Sequence, residues 1–147
     1  MSKSFMGKPI TGGNISANAV VSRKEPDLSL TFNSNAIQKG SLLVGADQGN
    51  HDLYHKEITG KVLCLPKVKT SEIGSLLLHT ICKKGTAPAA ILFAEQIDSD
   101  TAAGIVTGSV WTGNTIIAVS GLGKEFLEYV KDNMTVEIKE NGEVIIS

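Results

Sequence analysis

Three short apolar runs in the middle of the chain most constrain what it can fold into. They are "KVLCL" (61–65), "APAAILFAE" (87–95) and "NTIIAVSG" (114–121). Each lacks the polar alternation of a half-solvated strand, which is typical of strands buried on both faces of a sheet. Helical patterns separate the runs, and this alternation favours a parallel sheet with right-handed crossovers. The sequence therefore predicts an α/β fold with a central, mostly parallel sheet and flanking helices.

The segment between the first two runs carries the strongest helix signal. Apolar residues recur there at helical spacing from about Glu72 to Lys84, and Gly85 follows as a stop. Two further helices are predicted at 98–108 and 123–133. The predicted apolar stripe of the first helix consists of Ile73, Leu76, Leu77, Thr80 and Ile81.

Both ends of the chain carry strand patterns. "ANAVVSR" (17–23) and "LSLTF" (28–32) are rich in residues that favour strands, and "SLLVG" (41–45) is a third candidate. "MTVEIKENGEVIIS" (134–147) places Asn-Gly between two alternating strands, which predicts a hairpin. We expect these terminal strands to pair with each other or at an edge of the central sheet. A length of 147 residues fits one domain, 1–147.

Composition argues against several classes of function. The net charge is −1, and the chain has neither a basic block nor many aromatic residues, so no nucleic-acid partner is predicted. No apolar run approaches the roughly 18 residues that a membrane helix needs. The first residues, "MSKSFMGKPITGG", lack the apolar core of a signal peptide. These observations predict no membrane association and a cytoplasmic location.

Two cysteines, Cys64 and Cys82, are predicted to be buried free thiols, because disulfides are rare in cytoplasmic proteins. Two thiolates cannot hold an iron–sulfur cluster that needs four. If the protein serves such a cluster, another chain must supply most of its ligands.

Histidines and glycines give weaker signals of a site. His51 and His55 are four residues apart, a spacing that suits metal ligands on a helix, but the neighbouring glycine and asparagine indicate a polar surface loop. His79 lies within the apolar helix, where a half-buried side chain is expected. Gly121 and Gly123 precede a predicted helix and could bind an anion, although the third glycine of a dinucleotide fingerprint is absent.

Thr70 and Ser71 stand between a predicted strand and a predicted helix. Their hydroxyls are suited to cap the helix, since they accept hydrogen bonds from its first backbone N–H groups. Open α/β sheets also place ligands at this position, and the positive end of the helix stabilises an anion there. The sequence places no histidine to activate Ser71, so a hydrolase triad is not supported. From these residues alone, capping and chemistry both remain open.

Five segments occur in the order found in a known family. They are "GKPITGGNISANAVVS" (7–22), "GKVLCLP" (60–66), "TSEIGSLLL" (70–78), "GTAPAAILF" (85–93) and "AAGIVTG" (102–108). With them the chain resembles the small subunit of aconitase X-type enzymes over most of its length. The run from Gly60 to Phe93 is the most specific part.

This resemblance implies a swivelling β/β/α domain, and a hydro-lyase formed by this small subunit and a large catalytic subunit. The large subunit would hold an iron–sulfur cluster or another metal, and the small subunit alone would bind no cofactor. The substrate would be a small hydroxy acid such as cis-3-hydroxy-L-proline or phosphomevalonate.

The resemblance also implies roles for particular residues. Ser71 aligns with the family's catalytic serine and would act as the base that removes a proton from the substrate. Substrate-binding roles are implied for Thr70, Gly74, Ser75 and His51.

The chain departs from the family in two places. "SNAI" (34–37) stands where members often carry Gly-Gly-Val-Asp, and Asn18 stands where a glycine is usual. Two alternatives to an enzyme subunit remain. The chain could be a divergent swivelling domain that serves interaction without catalysis. It could also be a module that binds a small anion at Gly121 and Gly123.

Overall fold

The computed structural model describes residues 2–32, 43–69 and 72–147. Within these ranges eight strands form one sheet and four helices accompany it. The strands are β1 (Lys3–Met6), β2 (Lys8–Thr11), β3 (Ile15–Val21), β4 (Val62–Leu65), β5 (Ala90–Phe93), β6 (Ile117–Ser120), β7 (Thr135–Ile138) and β8 (Glu143–Ile146). The helices are α1 (Leu28–Thr31), α2 (Glu72–Lys83), α3 (Ser99–Thr112) and α4 (Lys124–Tyr129).

The sheet has a parallel centre and antiparallel flanks. Its strand order is β1-β8-β7-β3-β4-β5-β6-β2. The central strands β3, β4, β5 and β6 run parallel, with α2 and α3 as the crossovers from β4 to β5 and from β5 to β6. All other neighbours pair antiparallel. This topology confirms the predicted α/β fold with added terminal strands, including the hairpin of β7 and β8.

The two edges of the sheet meet at the N-terminal strands. β1 and β2 form opposite edges of the strand order, yet only Gly7 separates them in the chain. The Gly7 N–H donates to the Gly142 carbonyl oxygen at 3.1 Å, which joins this junction to the β7–β8 turn. The sheet therefore curves back on itself. β3 belongs both to an antiparallel flank and to the parallel centre, since Ile15–Asn18 pair with β7 and Ala19–Val21 pair with β4.

Apolar side chains alternate between the two faces of the parallel strands. One face packs against the antiparallel strands and α4, and the other is covered by α1, α2 and α3. The first cluster includes Ala19, Val21, Val62, Cys64, Leu92, Phe126, Val136 and Ile146. The second includes Val20, Leu63, Leu65, Leu78, Ile81, Ile91, Phe93 and Ile105. These two cores lie between three layers, which confirms the predicted β/β/α arrangement.

Helix α1 corrects the predicted strand at 28–32. The Asp27 side chain accepts a hydrogen bond from the Ser29 N–H at 2.9 Å and so caps a helical turn. Leu28 and Phe32 lie four residues apart and both enter the core. Thr31 and Phe32 favour a strand by composition, but capping and burial favour the turn of helix.

Several other boundaries differ from the prediction. β1 and β2 were not predicted, because each spans only four residues and pairs with strands far away in the sequence. Of the predicted strand at 41–45, Val44 and Gly45 form only isolated bridges. The altered 34–37 segment lies outside the described residues. Helix α3 continues to Thr112, four residues further than predicted.

The buried face of α2 is rotated relative to the predicted stripe. Gly74, Leu78, Ile81 and Cys82 are buried, whereas Leu76 is 68% exposed. The close approach of α3 explains the rotation. A Cβ on Gly104 would lie 3.0 Å from the Ser75 Cα, and one on Gly108 would lie 3.3 Å from the Cys82 Sγ. The lack of side chains at Gly104 and Gly108 thus allows α2 to pack closely against α3.

The two cysteines are free and buried, as predicted. Cys64 lies between the two β layers, and Cys82 lies between the parallel strands and the helices. Burial raises the pKa of both thiols above the usual range, since it disfavours the thiolate. Neither is suited to ligate a metal, because ligation needs the thiolate.

We expect neither thiol of the native protein to react with an aromatic disulfide reagent within minutes, and both to react after denaturation. The attacking species is the thiolate, which burial disfavours at Cys64 and Cys82. Absorbance of the released thiol, with and without denaturant, measures this. Reaction of one equivalent of thiol in native buffer, at the rate of a free thiol, would contradict the burial of both cysteines.

A cleft at the carboxyl ends of the parallel strands

A cleft of about 580 Å³ opens where the parallel strands end. Arg23 lies two residues beyond β3, Pro66 directly beyond β4, and Glu95 two residues beyond β5, and all three line it. Open α/β sheets place their ligands at this edge of the sheet. The cleft is therefore the candidate functional site.

Two loops joined by hydrogen bonding form one wall of the cleft. We call residues 24–27, after β3, and residues 66–69, after β4, the paired loops. The Lys69 N–H donates to the Pro26 carbonyl oxygen at 3.0 Å, and an ion pair joins Lys67 Nζ to Glu25 Oε1 at 3.6 Å. Lys24 and Lys69 both line the cleft from this wall.

A buried amide holds the opposite loop in place. Asn50 is 3% exposed and lines the cleft. Its Nδ2 donates to the Ser22 Oγ at 3.1 Å, and its Oδ1 accepts from the N–H groups of Asp52 and Leu53 at 3.2 Å each. The Arg23 N–H donates to the Asp52 Oδ2 at 2.8 Å. Because buried amides destabilise a fold unless satisfied, this network fixes the loop against the end of β3.

No local sequence pattern indicated directly that Asn50 is buried beside the cleft. It was grouped with a polar surface loop, and a polar residue in a loop is exposed far more often than buried. The pattern that could have indicated it is Asp47-Gln48-Gly49-Asn50, since Asp and Asn shape turns through side-chain bonds to nearby N–H groups. Asp47 does this, accepting from the Gly49 N–H at 2.9 Å.

Thr70 and Ser71 lie outside the described residues. Of their described neighbours, Lys69 lines the cleft and Glu72 begins α2. The assignment of Ser71 as base and Thr70 as a substrate contact therefore stays a prediction.

The remaining predicted substrate contacts do not line the cleft. Gly74 is buried in α2. The Ser75 Oγ donates to the Asp100 carbonyl oxygen at 2.7 Å and ties α2 to α3. His51 is exposed in the turn after Asn50 and does not line the cleft. For Ser75 the structure shows a role in packing the helices.

The other sequence candidates take ordinary structural roles. His55 stacks on Tyr54 with ring centroids 3.9 Å apart. His79 is half-buried, as predicted, and meets Trp111 edge to face. Across the described ranges, no group of three His, Cys, Asp or Glu residues could hold a metal ion.

The Gly121–Gly123 turn has its amides engaged. The N–H groups of Gly121, Leu122 and Gly123 donate to the carbonyl oxygens of Glu95, Phe93 and Ala94 at 2.9–3.0 Å. Helix α4, which follows, has only six residues. These contacts argue against the alternative in which this turn binds an anion.

A β/β/α domain with a cleft at the ends of its parallel strands fits the class of swivelling domains. Residues 4–146 match the family model described as the aconitase X swivel domain. The chain belongs to this family, as the sequence motifs predicted.

Two similar proteins match nearly the whole chain. The phosphomevalonate dehydratase small subunit of Pyrococcus furiosus is 29% identical over 95% of this chain and 92% of its own length. The protein of the same name from Methanocella arvoryzae is 31% identical over 95% of each chain. These matches confirm the predicted class, a subunit of a dehydratase.

A solved structure agrees with the fold. The crystal structure of Thermococcus kodakaraensis aconitase X in its holo-form superposes with a TM-score of 0.81. It is 25% identical and covers 99% of this chain and 98% of that chain. In the described part of this chain, every helix is too short or too polar to span a bilayer.

Proposed function

We propose that this chain is a single swivelling domain and the small subunit of a heteromeric dehydratase, active only with a large subunit. The observation that carries the proposal is the cleft at the carboxyl ends of β3, β4 and β5, which Lys69 lines two residues before Ser71 in the sequence. The family match over residues 4–146 supports it.

Ser71 is proposed as the base. Dehydration of a hydroxy acid removes a proton from the carbon next to the carboxylate while the hydroxyl leaves the neighbouring carbon. A serine hydroxyl is a weak base, so its alkoxide needs stabilisation. The twelve-residue helix α2 begins at the next residue and offers the positive end of its dipole, and Lys69 adds a cation two residues earlier.

The substrate is proposed to be a small hydroxy acid, with phosphomevalonate and cis-3-hydroxy-L-proline as candidates. The names of the relatives from Pyrococcus and Methanocella favour the first. An iron–sulfur cluster or another metal is expected in the large subunit. This chain does not fit a cluster, because Cys64 and Cys82 are buried on opposite faces of the parallel strands.

Apolar side chains on the helical layer support a large-subunit partner. Trp111 and Val110 on α3 are 74% and 72% exposed, and Trp111 lines a groove between α2 and α3 together with Leu76, which is 68% exposed. A patch of large exposed apolar side chains more often marks an interaction surface than a face that contacts only solvent.

We expect co-expression of this chain with its large subunit to give a stable complex that dehydrates one of the two candidate substrates. The purified 147-residue chain should be inactive on both, because the proposal places the metal and most substrate contacts in the large subunit. Product formation from each substrate, measured by mass spectrometry, tests this. Turnover by the small chain alone would contradict the proposal, and an associated but inactive complex would favour the non-catalytic interaction domain.

A further inference from the structure

A buried hydroxyl extends the Asn50 network beyond its own loop. Ser22 is fully buried and does not line the cleft. Its Oγ accepts a hydrogen bond from the Asn50 Nδ2 at 3.1 Å and donates one to the Lys24 carbonyl oxygen at 2.7 Å. Because a hydroxyl that both accepts and donates inside the protein has a fixed orientation, Ser22 couples the position of Lys24 to that of Asn50.

The paired loops continue this connection toward the segment that precedes Ser71. Lys24 begins the first loop, and in the second the Lys69 N–H donates to the Pro26 carbonyl oxygen at 3.0 Å. Asp27 and Lys69 also form an isolated parallel bridge. Lys69 stands two residues before Ser71 in the sequence. Hydrogen bonds and short stretches of main chain therefore link the buried amide to the described residue nearest to Ser71 on its N-terminal side.

We infer that Asn50 and Ser22 are positioning residues of the dehydratase, which hold the paired loops in the arrangement that presents Ser71 to the substrate. The inference rests on the proposed function and adds two side chains to it. Ser22 has no exposed surface, so its hydroxyl can affect turnover only through Lys24 and the paired loops. Such an effect is large, because misplacing a reacting group by about 1 Å can lower a rate about 100-fold.

The test is the kinetics of the co-expressed complex with Asn50→Asp and Ser22→Ala. An aspartate at position 50 still accepts from the Asp52 and Leu53 N–H groups but cannot donate to Ser22, and alanine removes the hydroxyl itself. We expect each variant to lower kcat about 10–100-fold and to change KM less than about threefold, because the base is displaced while the side chains that line the cleft remain. The double variant should be at most about twofold slower than the slower single variant, since both changes interrupt one connection.

Asn114→Asp is the matched control for loss of an amide hydrogen bond. The Asn114 Nδ2 donates to the Cys82 carbonyl oxygen at 2.8 Å and joins the segment after α3 to the last turn of α2. This contact lies before β6, at the end of the parallel strands opposite to the cleft. The control should keep kcat within about twofold of the wild-type value at a temperature where circular dichroism shows every variant folded.

Three kinetic outcomes would overturn the inference while upholding the dehydratase. In the first, Asn50→Asp and Ser22→Ala turn over as fast as the wild-type complex or the Asn114→Asp control. In the second, KM rises and kcat is unchanged, which indicates that Asn50 binds substrate directly. In the third, the falls in kcat multiply in the double variant, which indicates two independent effects.

Hydrogen exchange of the full isolated chain, measured by nuclear magnetic resonance, provides a readout that does not depend on activity. The Lys69 N–H is protected by its bond to the Pro26 carbonyl oxygen. We expect it to exchange about tenfold faster in Asn50→Asp and Ser22→Ala, because the paired loops lose the stabilisation typical of one hydrogen bond. In Asn114→Asp its exchange rate should stay within about twofold of the wild-type rate.

The Lys139 N–H reports on global unfolding, since it donates to the Glu143 carbonyl oxygen in the final hairpin, away from the cleft. If the wild-type complex dehydrates neither candidate substrate, the proposed function fails and the exchange measurement alone decides whether Asn50 and Ser22 hold the paired loops. Faster exchange at Lys69 with unchanged exchange at Lys139 then supports the coupling. Equal acceleration at both amides, or none at Lys69, overturns it.

Discussion

Ser71→Ala should lower kcat of the co-expressed complex by about 10²–10⁴-fold, the usual contribution of a positioned general base. The two subunits should still co-purify, because the exposed apolar groups on α2 and α3 are unchanged. We expect the fall in kcat because Thr70 carries the only other hydroxyl between Lys69 and Glu72 in the sequence. Initial rates with saturating substrate measure the effect.

A second substitution separates the base from a helix cap. If Ser71 only caps α2, alanine would cost about 0.5–2 kcal/mol of stability, and asparagine, an equally good cap, would restore it. We expect Ser71→Asn to keep stability and to remain as inactive as alanine, since an amide cannot take the proton. Ser99→Ala, an exposed serine at the first position of α3, is the matched control and should be fully active. Full turnover by Ser71→Asn would rule out the base.

Gly142→Ala should lower the free energy of unfolding by about 2–4 kcal/mol, combining a strained backbone with overpacking. Gly142 has φ of +93°, a conformation that residues with a Cβ rarely adopt. A Cβ there would also overlap the Gly7 carbonyl oxygen, at the junction where the sheet curves back on itself.

Gly12→Ala is the control for this prediction. Its nearest neighbours are the Glu140 Cγ and carbonyl oxygen at 3.4 Å, which is ordinary contact. We expect a change below about 0.5 kcal/mol there. Urea unfolding curves for both variants give the comparison. Equal midpoints would show that the junction accommodates a methyl group.

The parts of the fold that local patterns determine were predictable. Continuous apolar runs identify β4, β5 and β6, because a strand buried on both faces has no polar alternation. Asn141-Gly142 identifies the final hairpin through its turn geometry. β1 and β2 escaped prediction because each is stabilised by partners more than a hundred residues away, which no local window contains.

The candidate site was predictable in position but not in detail. The order of strands and helices in the sequence predicts that a site lies at the carboxyl ends of the parallel strands. The buried role of Asn50 and the pairing of Lys67 with Glu25 depend on how separate loops meet, and local patterns contain no such information. Leu76 was assigned to the buried stripe of α2 because helical spacing alone does not determine where the neighbouring α3 packs.

The pairing of the first strand with the last has a consequence for how the chain folds during synthesis. Lys3 pairs with Ile146, so β1 leaves the ribosome first and must wait for β8. Such distant contacts slow folding, since the chain loses loop entropy before it gains any pairing. The parallel centre can assemble while β1 is still unpaired. The exposed edge of β3, which β7 finally covers, is therefore the place where a nascent chain is most open to wrong pairing or to a chaperone.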